Sequence, residues 1–153
     1  MRGKMIGRRG IPTLGMVVLL LAAFLCGCSS FNRDWRRAAA APQDERALAG
    51  RWEGQWRSDE GGHQGGLRCL MTRQNDSLYQ ARFRATYERV LRFTYTARLE
   101  MQRHDLGWEF DGEADLGKLG GVYYYEGRAT PTNLISTYRS KYDHGMFELK
   151  RVR

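Results

Sequence analysis

Cysteine is scarce in this chain, which excludes a fold held together by disulfides. The 153 residues contain three cysteines, and two of them, Cys26 and Cys28, lie at the end of an N-terminal apolar run. With those two removed or modified, Cys69 has no partner in the chain. We therefore expect a fold that depends on its hydrophobic core alone.

Residue patterns typical of catalysis are also missing. The sequence has three histidines, His63, His104 and His144, but no phosphate-binding loop, no paired carboxylates and no nucleophile beside a base. Cys69 shares a strand face with apolar neighbours, which favours a buried and unreactive thiol. We predict no enzyme activity, no catalytic residues and no cofactor.

The N-terminus has the order of a secretory signal. Four basic residues precede an uncharged run from Ile11 to Leu25, and small residues follow it. The run is short for a helix that crosses a bilayer, so a retained transmembrane anchor is the weaker alternative. Ordinary cleavage, which would release a soluble exported protein, is another.

Leu25-Cys26-Gly27-Cys28 resembles a bacterial lipobox, in which a cysteine after a small residue is acylated before the signal is cleaved. Gly27 makes Cys28 the acceptor. The resemblance implies a lipoprotein held on a membrane by acyl chains such as palmitate. Because Ser29 follows rather than aspartate, it also implies a place in the cell envelope, on the outer membrane and facing the periplasm.

The chain therefore divides into three segments. Residues 1–27 are the predicted signal peptide, residues 28–49 a lipidated cysteine with a flexible tether, and residues 50–153 one folded domain. A short helix from Asp44 to Ala49 fits the polar and acidic residues at its start.

From Gly50 onward, apolar and polar residues alternate with a period of two, and turn residues interrupt the pattern. Strands joined by tight turns form an antiparallel meander, whose two edges are protected if they pair with each other. The sequence predicts an all-β fold, an eight-stranded up-and-down barrel, with a β-sandwich as the alternative. The predicted strands are residues 50–57, 67–72, 78–87, 91–101, 108–115, 122–129, 133–142 and 145–152.

Gly50-Arg51-Trp52 and Gly54-Gln55-Trp56 resemble the Gly-x-Trp that opens the first strand of calycin barrels, the group of lipocalins and avidins. In lipocalins this tryptophan closes the barrel floor beneath a basic residue of the last strand. The resemblance implies that Lys150 or Arg151 has that position here. It implies the fold and no ligand.

Large aromatic side chains are predicted to face the barrel interior. They favour a filled core, but rings with hydroxyl groups also suit a small apolar ligand such as a lipid or pigment. Of three consecutive tyrosines, Tyr124 faces opposite to its neighbours, and the pattern does not say which set is inside. The candidate ligand-lining residues are Trp52, Trp56, Tyr79, Phe83, Phe93, Tyr95, Trp108 and Phe110.

An up-and-down barrel places two of the histidines at one end and His104 at the other. The two histidines at one end, together with neighbouring carboxylates, are residue types that can bind zinc. Solvated turn residues of these types are far commoner, so we predict no metal. This rim group is Asp59, Glu60, His63, Asp143 and His144.

Arginines crowd the outward face of the third and fourth strands, at Arg82, Arg84, Arg92 and Arg98. They form either a surface for anionic lipids and glycans or an ordinary charged exterior. Removing the signal lowers the net charge from +8 to +4, because it takes four basic residues and no acidic one. That moderate charge favours an envelope polymer or anionic lipid as partner over nucleic acid.

The expected function is a membrane-anchored, non-catalytic binding or envelope-interaction module. Carriage of a small apolar ligand inside the barrel is the alternative, and an enzyme comes third.

Overall fold

The computed structural model describes residues 30–42, 47–88 and 90–153. Eight strands form a closed antiparallel barrel in sequence order, which confirms the predicted fold. β1 and β8 pair with each other and close the barrel. Their register begins with Arg51 opposite Val152 and ends with Ser58 opposite Gly145. The strands are β1 (Gly50–Ser58), β2 (Gln64–Arg73), β3 (Leu78–Tyr87), β4 (Leu91–His104), β5 (Gly107–Asp115), β6 (Val122–Ala129), β7 (Asn133–Arg139) and β8 (His144–Val152).

Several strand boundaries differ from the predicted ones by one to three residues, and the differences are largest at the start of β2 and at the ends of β4, which extends to His104, and β7. β2 begins at Gln64, inside the glycine-rich segment that the sequence predicts as a turn, because Gly65 pairs with Trp56. A Cβ at Gly65 would lie 1.7 Å from the carbonyl oxygen of Thr86, so this close approach requires glycine. β7 ends at Arg139 rather than 142, since Ser140 and Asp143 close a turn with a backbone hydrogen bond of 2.8 Å.

One end of the barrel is closed around Trp52. Its indole is fully buried, and Nε1 donates to the carbonyl oxygen of Leu48 at 3.0 Å. Arg151 of the last strand lies over the ring, as the calycin resemblance implies, with Cζ 5.8 Å from the centroid. The buried residues that fill this half include Met71, Tyr79, Leu99, Met101, Phe110, Leu134 and Leu149.

Residues 30–40 form a helix, α1, on the outside of the barrel. Phe31 is fully buried and Trp35 is 9% exposed, and both pack with Leu70 of β2 in a second apolar cluster. Over residues 30–40 the structure therefore differs from the flexible tether that was predicted for residues 28–49. The helix predicted at Asp44 to Ala49 is not found over residues 47–49, and residues 43–46 lie outside the described part of the chain.

A second, short helix, α2 (Gly117–Gly120), lies in the connection from β5 to β6. Within the described ranges, no helix has the length and apolar character needed to cross a membrane. Residues 1–27 and Cys28, on which the signal and lipidation predictions rest, lie outside those ranges.

Candidate ligand cavity

The half of the barrel opposite Trp52 is hollow. A cavity of about 440 Å³ opens at the end that carries the β1–β2, β3–β4, β5–β6 and β7–β8 connections. This volume is within the range of small-molecule sites in proteins. We call the space the barrel cavity and its opening the mouth. Its lining includes Trp56, Leu67, Ala85, Tyr87, Phe93, Tyr95, Leu116, Tyr123, Tyr125, Tyr138, Tyr142 and Phe147.

Stacked rings separate the cavity from the filled half. Phe83 is fully buried at this boundary, and its ring centroid lies 5.2 Å from that of Tyr95 and 5.5 Å from that of Phe147. Tyr125 also stacks on Phe83, with a distance of 6.2 Å between the ring centroids. Such contacts fix the ring planes, so the cavity floor is preformed.

Tyrosine dominates the wall, since six of the eight tyrosines in the chain line the cavity. The structure also settles the orientation that the sequence left open. Tyr123 and Tyr125 face inward, and Tyr125 pairs in register with Tyr138 of β7. Tyr124 faces out and is 47% exposed.

The phenols deep in the cavity are held in the neutral form. Burial raises the pKa of Tyr95 well above its usual value, and the neighbouring Tyr125 raises it further. Burial also raises the pKa of Tyr125, although a hydrogen bond with Tyr95 opposes part of that effect. The deep wall is therefore uncharged at physiological pH and presents hydroxyl groups that can donate or accept hydrogen bonds.

A polar group lies nearer the mouth. Ser58 Oγ donates to Asp143 Oδ1 at 2.6 Å, and the Tyr138 hydroxyl donates to Asp143 Oδ2 at 3.1 Å. Burial raises the pKa of Tyr138, and the Asp143 carboxylate raises it further, so this phenol keeps its proton. Two neutral donors therefore hold the carboxylate of Asp143 at the cavity wall.

The charge of the lining has one sign. Glu60 and Asp143 contribute carboxylates, whereas no lysine or arginine is found among the described residues that line the cavity. His63 lies at the edge, where its Nδ1 is 3.0 Å from the hydroxyl of Tyr87. An anionic ligand would meet two carboxylates and no lysine or arginine among the described lining residues, which disfavours its binding.

The predicted ligand-lining residues divide between the two halves. Trp56, Phe93 and Tyr95 line the cavity. Trp52, Tyr79, Phe83 and Phe110 are buried in the filled part. Trp108 is half-buried near the closed end, beneath the guanidinium of Arg103, whose Cζ is 5.5 Å from the ring centroid. The question of a filled or hollow barrel thus has a different answer for each half.

Several lining residues are not among those predicted from the sequence. Tyr87 and Phe147 have the same parity as the inward residues of their strands, so strand periodicity alone could have identified them. Tyr142 and Leu116 belong to connections, where a period of two gives no orientation. These residues become visible only when the connections meet around the mouth.

The histidines lie at the ends that the strand order predicts. His63 lines the cavity near the mouth, and His144 Nδ1 is 3.3 Å from Glu60 Oε1 at the same end. His104 lies at the closed end, with Nε2 3.5 Å from Glu109 Oε2. Among residues 30–42, 47–88 and 90–153, no cluster of histidine, cysteine and acidic residues is suited to hold a metal ion. Cys69 is a free, fully buried thiol, and burial raises its pKa.

Helix α1 contacts two of the four arginines that were predicted to form a basic surface. Arg92 and Arg98 are exposed, but α1 covers Arg84, which is 9% exposed, and partly covers Arg82. Arg82 Nη2 donates to Asp34 Oδ2 at 2.8 Å, and Arg84 donates to Asn32 Oδ1. Both guanidinium groups also lie over the Phe31 ring. Both side chains therefore hold a helix of the same chain, and of the two only Arg82 remains partly exposed.

The sequence matches no protein family model and no curated relative. Two solved structures are similar in fold. A de novo designed fluorescence-activating β-barrel shares 16% identity over 69% of this chain and 94% of its own, with a TM-score of 0.50. A redesigned β-barrel, mFAP1, bound to DFHBI, shares 11% identity over 72% and 100%, with a TM-score of 0.55. At these identities the likeness concerns the fold alone, which is that of a small antiparallel β-barrel.

Proposed function

We propose that this protein binds one small, flat, apolar molecule in the barrel cavity, without transforming it. The observation that carries the proposal is the cavity itself, about 440 Å³ of tyrosine-lined space above a half-barrel that is closely filled. A barrel of this strand number can be filled by side chains or hold one small ligand. In this chain, side chains fill one half of the barrel and the other half has room for a ligand.

The lining indicates the chemistry of the ligand. Ring faces and aliphatic groups provide apolar contact, and the phenols provide a few oriented hydrogen bonds. Because the charged lining groups are the carboxylates of Glu60 and Asp143, the preferred ligand is neutral or carries a donor or a positive charge at its polar end. Aromatic faces also attract cations. Fatty acid anions are the disfavoured class.

The two similar structures support this proposal at the level of architecture. One is described as fluorescence-activating, and the other is bound to the small molecule DFHBI. The second illustrates that a small redesigned barrel has room for such a ligand. DFHBI is not inferred to be the ligand of this chain.

We further propose that acyl chains on Cys28 hold the barrel on the outer membrane, facing the periplasm. The support is the lipobox-like Leu25-Cys26-Gly27-Cys28 and the apolar run before it. Incorporation of radiolabelled palmitate into the wild-type chain, and its loss in Cys28→Ala, would support the anchor. An unlabelled wild-type chain would overturn it.

The ligand itself can be sought by native mass spectrometry of the protein purified from its own cells. The proposal predicts a second mass, above that of the acylated chain, that disappears when the protein is denatured. It also predicts that Ala85→Phe, which places a ring in the cavity, is recovered without that mass. Spectra that show only the ligand-free chain in repeated preparations would contradict the proposal and favour contact with envelope polymers through the outer surface.

A further inference from the structure

The mouth of the cavity has an apolar margin. Val90 is 79% exposed, Leu91 62% and Phe93 44%. Val90 belongs to the β3–β4 connection, and Leu91 and Phe93 lie at the start of β4. Tyr142 of the β7–β8 connection is 57% exposed across the opening. Adjacent exposed apolar residues around a ligand opening are typical of surfaces that contact a partner or a membrane.

The start of helix α1 lies towards the mouth end of the barrel. Near its start, Asn32 accepts a hydrogen bond from Arg84, and further along the helix Asp34 pairs with Arg82. β3 runs towards the mouth and ends there at Tyr87, so the start of α1 is nearer the mouth than its middle. Arg84 lies about 10 Å from the end of β3, at roughly 3.3 Å per residue.

The position of α1 limits where an anchor on Cys28 can be attached. Ser30 is the first described residue, and the helix is fixed to the barrel by the fully buried Phe31. Two residues of chain reach at most about 7 Å. An anchor on Cys28 would therefore attach within about 7 Å of Ser30, at the end of α1 that is nearer the mouth.

Arg92 adds a cation to the apolar margin. It is exposed between Leu91 and Phe93, and its cross-strand neighbour is Thr86, not an acidic residue. It also lines a polar groove that contains Asn32, Arg84 and the acidic Glu53, and this groove leads from the margin to the start of α1. A cation beside apolar side chains suits the level of lipid phosphates, with the apolar groups just beneath them.

We infer that the mouth rests against the lipid bilayer, with Val90, Leu91 and Phe93 in the interface and Arg92 at the phosphates. The cavity then exchanges its ligand with the membrane rather than with the aqueous phase. This inference deepens the proposed function and rests on the proposed cavity and anchor. We assign the membrane as the partner of the apolar margin because the proposed lipid anchor, on Cys28, lies two residues before the described start of α1.

The orientation can be tested with two single-site labels on the full chain, reconstituted in vesicles of phosphatidylethanolamine and phosphatidylglycerol. An environment-sensitive fluorophore is placed at Leu91→Cys or, as the matched control, at Leu106→Cys. Leu106 is 93% exposed at the opposite end of the barrel, and buried Cys69 does not compete for the label. Acylation blocks Cys28 in anchored protein, and unacylated protein is labelled in a Cys26→Ala, Cys28→Ala background so that residue 91 or 106 carries the only reactive thiol. The inference predicts a blue-shifted emission and quenching by nitroxide lipids at 91, and neither at 106.

The charge contribution has its own control. Arg92→Gln should lower partitioning of the label at 91 into the bilayer by about fivefold, the effect expected of one cation near an anionic surface. Arg98→Gln, an exposed site further along β4, should leave it unchanged. Equal effects of the two substitutions would contradict the placement of Arg92 at the phosphates.

Anchoring is scored separately, by mass spectrometry of the acylated N-terminus. Acylated protein with equal quenching at the two positions, or with none, overturns the orientation and leaves the anchor standing. Unacylated protein whose label at 91 alone is still quenched keeps the orientation and overturns the anchor. Unacylated protein without quenching at 91 overturns both.

Discussion

Arg151 lies over Trp52 at the closed end of the barrel, with its Cζ 5.8 Å from the centroid of the indole. The two residues face each other in register across the β1–β8 pair that closes the sheet. The same guanidinium donates to the carbonyl oxygens of Ala47 and Ala49. One side chain thus joins the last strand, the first strand and the segment that leads into it.

Replacing Arg151 should destabilise the closed end. Arg151→Ala removes a cation–π contact and hydrogen bonds from a charged donor, so we expect a loss of about 2–4 kcal/mol in the free energy of unfolding. Lys150→Ala is the control, because Lys150 is exposed on the next position of the same strand. Urea unfolding of both variants gives the comparison. Similar losses in the two would mean that Arg151 has no special role.

Gly54 should not tolerate a side chain. A Cβ there would lie 1.9 Å from the carbonyl oxygen of Glu148 on β8. Gly54→Ala should therefore cost about 1–3 kcal/mol, as overpacking does. Gly66→Ala is the matched control, since nothing lies within 4 Å of a Cβ there. The idea fails if thermal unfolding shows the same midpoint for Gly54→Ala as for Gly66→Ala.

Stability should fall at alkaline pH. Burial raises the pKa of Tyr95, Tyr125 and Tyr138, so these phenols stay protonated in the folded chain. In the unfolded chain they ionise near pH 10, which favours unfolding as the pH rises above that value. Tyr125→Phe removes one such group and should reduce the slope of stability against pH. Denaturant titrations from pH 8 to 11 test this, and an unchanged slope would speak against neutral burial of Tyr125.

Docking of α1 should depend more on Phe31 than on the ion pair. Phe31→Ala removes a fully buried ring, and such a loss costs about 3–5 kcal/mol in a core. Asp34→Asn weakens a partly exposed pair with Arg82, and solvent-exposed pairs of this kind contribute little to stability. Amide exchange over residues 30–40 should therefore accelerate strongly in the first variant and little in the second. The reverse order would show that charge holds the helix.

The barrel was predictable because its signals are local. Alternation such as that of Leu78–Tyr87 fixes which face of a strand is buried, and short turns leave few ways to connect the strands. Helix α1 was not predictable in the same way. Its apolar contacts come mainly from Phe31 and Trp35, one turn apart, and the surface that receives them is rich in arginine. Only the folded barrel shows that Arg82 and Arg84 stack on Phe31.

The cavity was predictable only in part. The inward parity of strand residues identified Trp56, Phe93 and Tyr95, which line the cavity. The same criterion also selected Phe83 and Phe110, which fill the core instead. Whether an inward ring fills the interior or bounds a space depends on its depth in the barrel and on small neighbours such as Ala85. That information lies in the packing and not in the alternation.

The central claim is that the cavity binds a small neutral molecule, and a fluorescence titration with Nile red tests it most directly. The wild-type chain should bind the dye with a blue-shifted emission, and palmitate should compete poorly. Ala85→Phe, which obstructs the cavity, should weaken binding at least about tenfold, or 1.4 kcal/mol. Tyr124→Ala, on the outer face of β6, should bind as the wild type does. Undiminished binding by a folded Ala85→Phe protein, or no binding by the wild type, would contradict the claim.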